Sequence, residues 1–245
     1  MPTRWDWHTC PCCTMNVSRL VASVGGYFVS TAPDGIAFHL YGGIATTLDV
    51  GGTAVDVREV SNYPWSGDIA IEIDPATDKA FDLKLRVPGW CHGATAKVNG
   101  EAVTLNPVNG YATIHRTWKK GDKVTLDLPM PAVRLFANPA VIMDVGRVAL
   151  KRGPLVYCIE EADNPGGRVQ RLKLPRNSPL EVKETDLFDG IVTLKAQATA
   201  IDDSDWNSLY RTAPAAEKPA TLTALPYYLW ANRGRGSMVV WIPES

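Results

Sequence analysis

Phe81-Asp82-Leu83-Lys84-Leu85-Arg86-Val87 alternates apolar and polar side chains without a break. Successive side chains of an extended chain point to opposite faces. The run therefore reads as a half-buried antiparallel strand with Phe81, Leu83, Leu85 and Val87 turned inward. Ile69-Ala70-Ile71-Glu72-Ile73 and Val124-Thr125-Leu126-Asp127-Leu128 carry the same period of two. Turn signals separate these runs at short intervals: Pro33-Asp34-Gly35, Pro88-Gly89, Asn99-Gly100, Asn109-Gly110 and Lys120-Gly121-Asp122. Asn99-Gly100, between Lys97-Val98 and Ala102-Val103, suits a type I′ hairpin, in which both central residues need positive φ. Short strands with turns at this spacing point to a sandwich or barrel.

The pattern extends towards the C-terminus. A boundary is expected within Met130–Pro139, after which Arg147–Leu150, Leu155–Ile159 and Ile191–Ala200 resume as strands. Asp163–Glu184 reads as long loops with room for one strand, and Thr212–Pro219 as a flexible loop. Tyr227-Tyr228-Leu229-Trp230 and Met238-Val239-Val240-Trp241-Ile242 read as two apolar strands around a loop containing Arg233-Gly234-Arg235. Towards the N-terminus the period changes. Val17, Leu20, Val21 and Val24 fall at i, i+3, i+4 and i+7, one face of a short helix. Thr14 or Asn16 suits its start and Gly25-Gly26 a left-handed stop. The expected fold is mainly β: a helical stub over residues 1–26, a middle antiparallel β-sandwich over 27–134 and a C-terminal one over 135–245.

Composition narrows the function. The chain has 245 residues, with 25 Lys+Arg against 26 Asp+Glu, which argues against nucleic acid as a partner. With 45% hydrophobic residues it is not a disordered tail. No apolar run approaches the roughly 20 residues of a membrane span. Met-Pro-Thr-Arg-Trp-Asp-Trp has no apolar leader core, so this chain by itself reads as cytoplasmic.

The sharpest local feature is Trp5-Asp6-Trp7-His8-Thr9-Cys10-Pro11-Cys12-Cys13, leading into the helix. Five cysteines, three of them within four positions, do not read as a disulfide framework. Exposed N–H groups and the positive end of the helix dipole favour thiolate there, the form that binds Zn²⁺ and attacks carbon. His8, Cys10, Cys12 and Cys13 are the candidate ligands. All four on one ion would be crowded, so two or three are expected to take part, with the rest from elsewhere. Cys91, Cys158, His39, His92 and His115 read as packed or solvated residues, Glu160-Glu161 and Asp202-Asp203 as solvated charge, and Arg233-Gly234-Arg235 as a hairpin loop. Of the eight tryptophans (Trp5, Trp7, Trp65, Trp90, Trp118, Trp206, Trp230, Trp241) some are expected as core anchors; a tryptophan face can also stack on a sugar ring, and the sequence assigns none of them to that role.

Cys12-Cys13-x-x-Asn16-x-x-Arg19, followed by Ala22-Ser23-Val24-Gly25-Gly26-Tyr27, resembles the β-L-arabinofuranosidases of glycoside hydrolase family 127. Asn62-Tyr63-Pro64-Trp65, Leu85–Trp90, Val98–Glu101, Trp118–Asp122 and Leu128–Pro131 are similar to that family's middle sandwich. Arg147–Tyr157 and Tyr227–Gly234 are similar to its C-terminal domain. The resemblance implies an (α/α)₆ barrel followed by β-sandwiches, and Zn²⁺ held by one glutamate and three cysteines. It also implies a retaining mechanism in which one cysteine of the adjacent pair is the nucleophile. By the motif, Cys12 is the nucleophile and a zinc ligand, and Cys13 a further ligand. A thioglycosyl intermediate on Cys12 would then be hydrolysed by water. Thr14-Met15 stands where relatives commonly have prolines. No position here matches the glutamate ligand, the third cysteine or the acid/base glutamate, which the resemblance places on a barrel upstream of residue 1.

The chain is therefore expected to be the C-terminal portion of such an enzyme, a split or truncated product inactive by itself on a plant-type oligosaccharide. Its expected partners are an upstream barrel chain or a second copy, since the stub's apolar stripe needs a cover. The competing reading is a non-catalytic β-sandwich module for glycan binding or subunit contact, which needs no metal. A thiol redox protein is a weaker third, because Cys12-Cys13 lacks the two-residue spacer of dithiol motifs.

Overall fold

A computed structural model describes residues 10–164 and 168–245. Contacts divide the chain between Met130 and Pro131 into two compact units.

The first unit opens with α1 (Pro11–Ser23) and a 3₁₀ turn, Val24–Tyr27. Ten strands follow: β1 (Val29–Ala32), β2 (Gly35–Phe38), β3 (Ile44–Val50), β4 (Thr53–Ser61), β5 (Asp68–Pro75), β6 (Lys79–Arg86), β7 (Thr95–Val98), β8 (Glu101–Val103), β9 (Tyr111–Trp118) and β10 (Asp122–Asp127). They form a four-stranded sheet, β1-β2-β6-β9, and a six-stranded sheet, β3-β4-β5-β10-β7-β8. The two sheets share one core. Ile36, Phe38, Phe81, Leu83, Leu85 and Trp118 come from the first and Val55, Val57, Ile71, Ile73, Val124 and Leu126 from the second. The inward set of Phe81, Leu83 and Leu85 is the one expected from the alternation, and Trp118 fixes its indole by donating to the Phe81 carbonyl at 3.0 Å. The Asn99-Gly100 hairpin forms as expected, with φ of 52° and 88° and Val98 opposite Glu101.

Three expectations for this unit are corrected. β6 is antiparallel to β9 but parallel to β2, with Gly35 opposite Asp82. A side chain at Gly35 would run into the Asp82 carbonyl, so only glycine admits this approach. The helix starts at Pro11, whose missing N–H costs nothing at a first helical position, and not after a Thr14 or Asn16 cap. Gly25-Gly26 makes no left-handed stop; the helix tightens directly into the 3₁₀ turn. No residue of α1 is buried, and Val17, Leu20 and Val21 are 57–68% exposed.

The second unit contains β11 (Ala132–Leu135), β12 (Arg147–Arg152), β13 (Leu155–Glu160), β14 (Leu172–Lys173), β15 (Glu181–Thr185), β16 (Ile191–Asp202), β17 (Ala216–Pro226), β18 (Met238–Val239) and β19 (Ile242–Pro243). Ala132 to Arg134, expected at the end of the middle sandwich, pair with β12 together with Leu135 and so lie in this unit. All nine strands are hydrogen-bonded into one sheet with the path β11-β12-β13-β17-β16-β14. β19 links two parts of this path that are not neighbours in it. β19 pairs with β12, and the Leu174 N–H, just beyond β14, donates to the Pro243 carbonyl at 2.8 Å. Val148, Leu150, Tyr157, Leu174, Leu194, Leu222, Ala224 and Ile242 fill the interior.

Two more expectations fail in this unit. Thr212–Pro219 does not stay a loop: β17 begins at Ala216 and runs eleven residues, Ala216 to Ala224 paired with β16 and Pro219 opposite Thr199. Proline fits because β13 pairs only with the far end of β17, leaving this half with one strand neighbour. Tyr227–Leu229 is a 3₁₀ turn, and the Met238–Ile242 run holds two two-residue strands rather than one. The buried Asn164 stands in for a strand beside β17, donating to the Thr223 carbonyl at 2.9 Å and accepting its N–H at 2.8 Å.

Candidate functional site

Pro11 at the helix start sets the geometry of the cysteine cluster. Cys10 is the N-cap in extended backbone (φ −98°, ψ 108°) with no side-chain cap. Cys12 and Cys13 are consequently within the first turn, not before it, among N–H groups without intrahelical partners. All three thiols are exposed. The Sγ atoms of Cys10 and Cys12 are 3.1 Å apart and those of Cys12 and Cys13 3.9 Å apart. Thr14 Oγ1 donates back to the Pro11 carbonyl at 2.9 Å, and Arg19 donates to Asn16 Oδ1 at 3.1 Å, one turn on. Asn16 and Arg19 thus brace each other on the surface of α1, with Asn16 one turn along from Cys12 and Cys13.

Two thiolates on one tetrahedral zinc, each about 2.3 Å from it, have sulfurs about 3.8 Å apart. The Cys12–Cys13 separation fits two neighbouring vertices of such a site, whereas the shorter Cys10–Cys12 contact does not. Among the described residues no group of three or more His, Cys, Asp or Glu is placed to hold a metal. The pair therefore offers half a ligand set. His8 and Trp5 and Trp7 lie outside the described residues.

The other candidates separate into structural roles. Cys91 and Cys158 are buried; burial raises both thiols, that of Cys158 to about 12. His39 is held between Ser30 Oγ at 2.7 Å and the Tyr111 hydroxyl at 2.6 Å, and His115 meets Asp82 at 2.6 Å. Glu160 and Glu161 are not solvated charge. Glu160 is buried, accepts the Ala231 N–H at 2.8 Å and pairs with Arg233 at 2.9 Å. Glu161 accepts both the N–H and the hydroxyl of Ser237, which lowers its pKa. Arg233 is accordingly a clamp and not a loop charge. It also donates to Asp163 at 2.7 Å and lies over the Phe188 ring, its charge reinforced first by the Asp163 hydrogen bonds. Residues far apart in sequence make this network, and only the charge and glycine content of 233–236 hinted at it. Of the described tryptophans, Trp118 is core, Trp90 hydrogen-bonds Tyr63, Trp230 stacks with Tyr227 at 6.2 Å, and Trp65 is among the exposed large side chains.

Comparison with known proteins follows the same division. The model for the GH127 β-L-arabinofuranosidase middle domain matches residues 35–130, and that for the glycoside hydrolase family 127 C-terminal domain matches 133–243. A non-reducing end β-L-arabinofuranosidase of Bifidobacterium longum is 35% identical over 97% of this chain and 38% of its own length. The crystal structure of a GH127 β-L-arabinofuranosidase from Geobacillus stearothermophilus superposes with a TM-score of 0.94 at 40% identity, covering all of this chain and 39% of that one. A second GH127 β-arabinofuranosidase gives 0.88 at 34% identity, again over all of this chain and 40% of that one. The chain thus spans about two fifths of the length of the relatives it matches. The match of both domain models in order, the paired sheets and the fit to solved relatives place the chain in glycoside hydrolase family 127, of which it carries the middle and C-terminal domains.

Proposed function

We propose that this chain supplies the nucleophile and two zinc ligands of a retaining β-L-arabinofuranosidase, with Cys12 in the first role and Cys12 and Cys13 in the second. The observation that carries the reading is the pair of exposed neighbouring thiols in the first turn of α1, 3.9 Å apart. When bound, zinc would keep its sulfur ligands in the thiolate form at neutral pH. Cys12 Sγ attacks the anomeric carbon of a β-L-arabinofuranoside. The S–C bond forms as the glycosidic C–O bond breaks, and the departing oxygen takes a proton from an acid outside this sequence. Water then displaces the sulfur from the anomeric carbon with the same outside group as base, and two inversions give net retention.

The remaining ligands and the acid/base belong, on this reading, to a helical barrel contributed from beyond these residues or by a partner chain. The chain alone is inactive. The decisive measurement is zinc content per chain together with arabinose release from an aryl β-L-arabinofuranoside. With two ligands of its own the wild-type chain takes up zinc only weakly and releases no sugar; joined to the helical barrel it holds zinc, and Cys12→Ala and Cys13→Ala each hold less. Zinc uptake indifferent to both substitutions, or release by the wild-type chain above the Cys12→Ala control, overturns the proposal. Uptake by none of them even when joined to the barrel favours a module that binds glycan or a subunit without metal.

A further inference from the structure

Cys10 has no part in the proposed chemistry, yet its sulfur is the nearest one to that of Cys12, at 3.1 Å. A disulfide S–S bond is about 2.0 Å long, so the two sulfurs need close by only about 1 Å. The residue between them is Pro11, the first helical residue, whose ring restricts φ between the extended N-cap Cys10 and Cys12. The approach is therefore built into the backbone and is not the chance meeting of two free arms. Cys13 is less well placed. Its sulfur is 3.9 Å from that of Cys12, and bridging adjacent residues would distort the peptide joining them. Both partners are exposed, whereas Cys91 and Cys158 are buried.

We propose that Cys10 and Cys12 form an oxidative modification site, in which Cys10 is the resolving thiol and a small disulfide such as oxidised glutathione is the oxidant. The Cys12 thiolate attacks one sulfur of the oxidant, forms a mixed disulfide and expels one glutathione thiolate. The Cys10 thiolate then attacks the Cys12 sulfur, breaks the mixed disulfide and expels the second. Two protein thiols become one disulfide, the oxidant gains two electrons, and the two thiol protons end on two molecules of glutathione. The consequence for activity rests on the reading of Cys12 as nucleophile: the crosslink removes it both as nucleophile and as metal ligand, and a dithiol reductant returns it.

The test treats the full chain with oxidised glutathione, removes the oxidant and measures intact mass and iodoacetamide-reactive thiols. Wild type and Cys13→Ser each lose two hydrogens and two reactive thiols, and both changes reverse with dithiothreitol. Cys10→Ser loses no hydrogens and instead retains a glutathione adduct. Because α1 is exposed, these substitutions remove no core contact. Loss of two hydrogens by Cys10→Ser but not by Cys13→Ser puts the crosslink on the adjacent pair and overturns the proposal. No loss in the wild type overturns it as well. A second arm adds Zn²⁺ before the oxidant. Protection of the wild type supports Cys12 as a ligand. A crosslink that still needs Cys10 but ignores zinc upholds the modification site and counts against the metal reading alone.

Discussion

Replacing Asp122 by alanine is expected to destabilise the first unit by about 2–4 kcal/mol. Asp122 opens β10 with its carboxylate buried. Oδ1 accepts from Asn99 Nδ2 at 2.7 Å and Oδ2 from the Lys119 N–H at 2.9 Å, with Arg116 3.8 Å away. Asn99 in turn accepts the Lys123 N–H at 2.8 Å through its own side-chain oxygen. One carboxylate thus ties the Asn99-Gly100 turn to the turn between β9 and β10. A hydrogen bond to a charged group contributes about 1.5–3 kcal/mol, and two that share a carboxylate and relax partly to water give less than their sum. Asp122→Asn keeps an acceptor and falls between alanine and wild type.

The pH dependence has a definite sign. Burial pushes the Asp122 carboxyl up. The hydrogen bonds from Asn99 and Lys119 and the Arg116 and Lys119 charges outweigh it, and the folded pKa lies below the ordinary value. The stabilisation is therefore complete above the unfolded value of about 3.9 and is lost as pH falls through the lower folded value. Native-state hydrogen exchange read by mass on β7, β8 and β10 checks both points, with second-unit peptides as internal control. A deficit under about 0.5 kcal/mol at pH 7, the range of an inconsequential surface change, would refute the reasoning. So would a gap between wild type and Asp122→Asn that widens below pH 4.

The second unit supplies further expectations. Arg233→Ala leaves the buried Glu160 and Asp163 carboxylates without their cation and should cost about 3–5 kcal/mol. It should also increase exchange over residues 231–237, and Arg233→Lys should recover little because an ammonium cannot reproduce the guanidinium fork. Denaturant midpoints of the two variants settle this, and equal stability of wild type and alanine variant contradicts it. Asn164→Leu strips both partners from the Thr223 backbone and should cost about 2–4 kcal/mol, with exchange at the Thr223 amide rising first. An unchanged Thr223 amide would show that water replaces the side chain at no cost.

Strands whose two faces differ in polarity could be recognised from their residues alone. β5, β6 and β10 alternate because one face meets the core, and Asn99-Gly100 declares its turn through the positive φ it needs. The missed strand, β17, has no such contrast over Ala216–Lys218, and Pro219 argued against it; only the long pairing with β16 holds it straight. Tyr227–Leu229 erred in the opposite direction, an apolar run that turns to pack Trp230 against the smaller cluster around Cys158. At the cysteine site the residue types and their adjacency were visible, but the start of α1 was placed at least one helical turn too late, because polar side chains at Thr14 and Asn16 mimicked the cap that Cys10 occupies. The Arg233 clamp left only the hint of its charge among glycines, since its carboxylates are some seventy positions away in the chain.

The seam between β19 and the strands it joins also bears on synthesis. β12 is complete about ninety residues before Ile242-Pro243 arrives to pair with it, and Leu174 waits about seventy for the Pro243 carbonyl. On the ribosome the nascent second unit must therefore linger as an open ribbon, with the apolar sides of β12 and β14 unshielded, until its final few peptide bonds have been made. Slow decoding of the stretch that encodes β19 would lengthen that exposure and raise the need for chaperones.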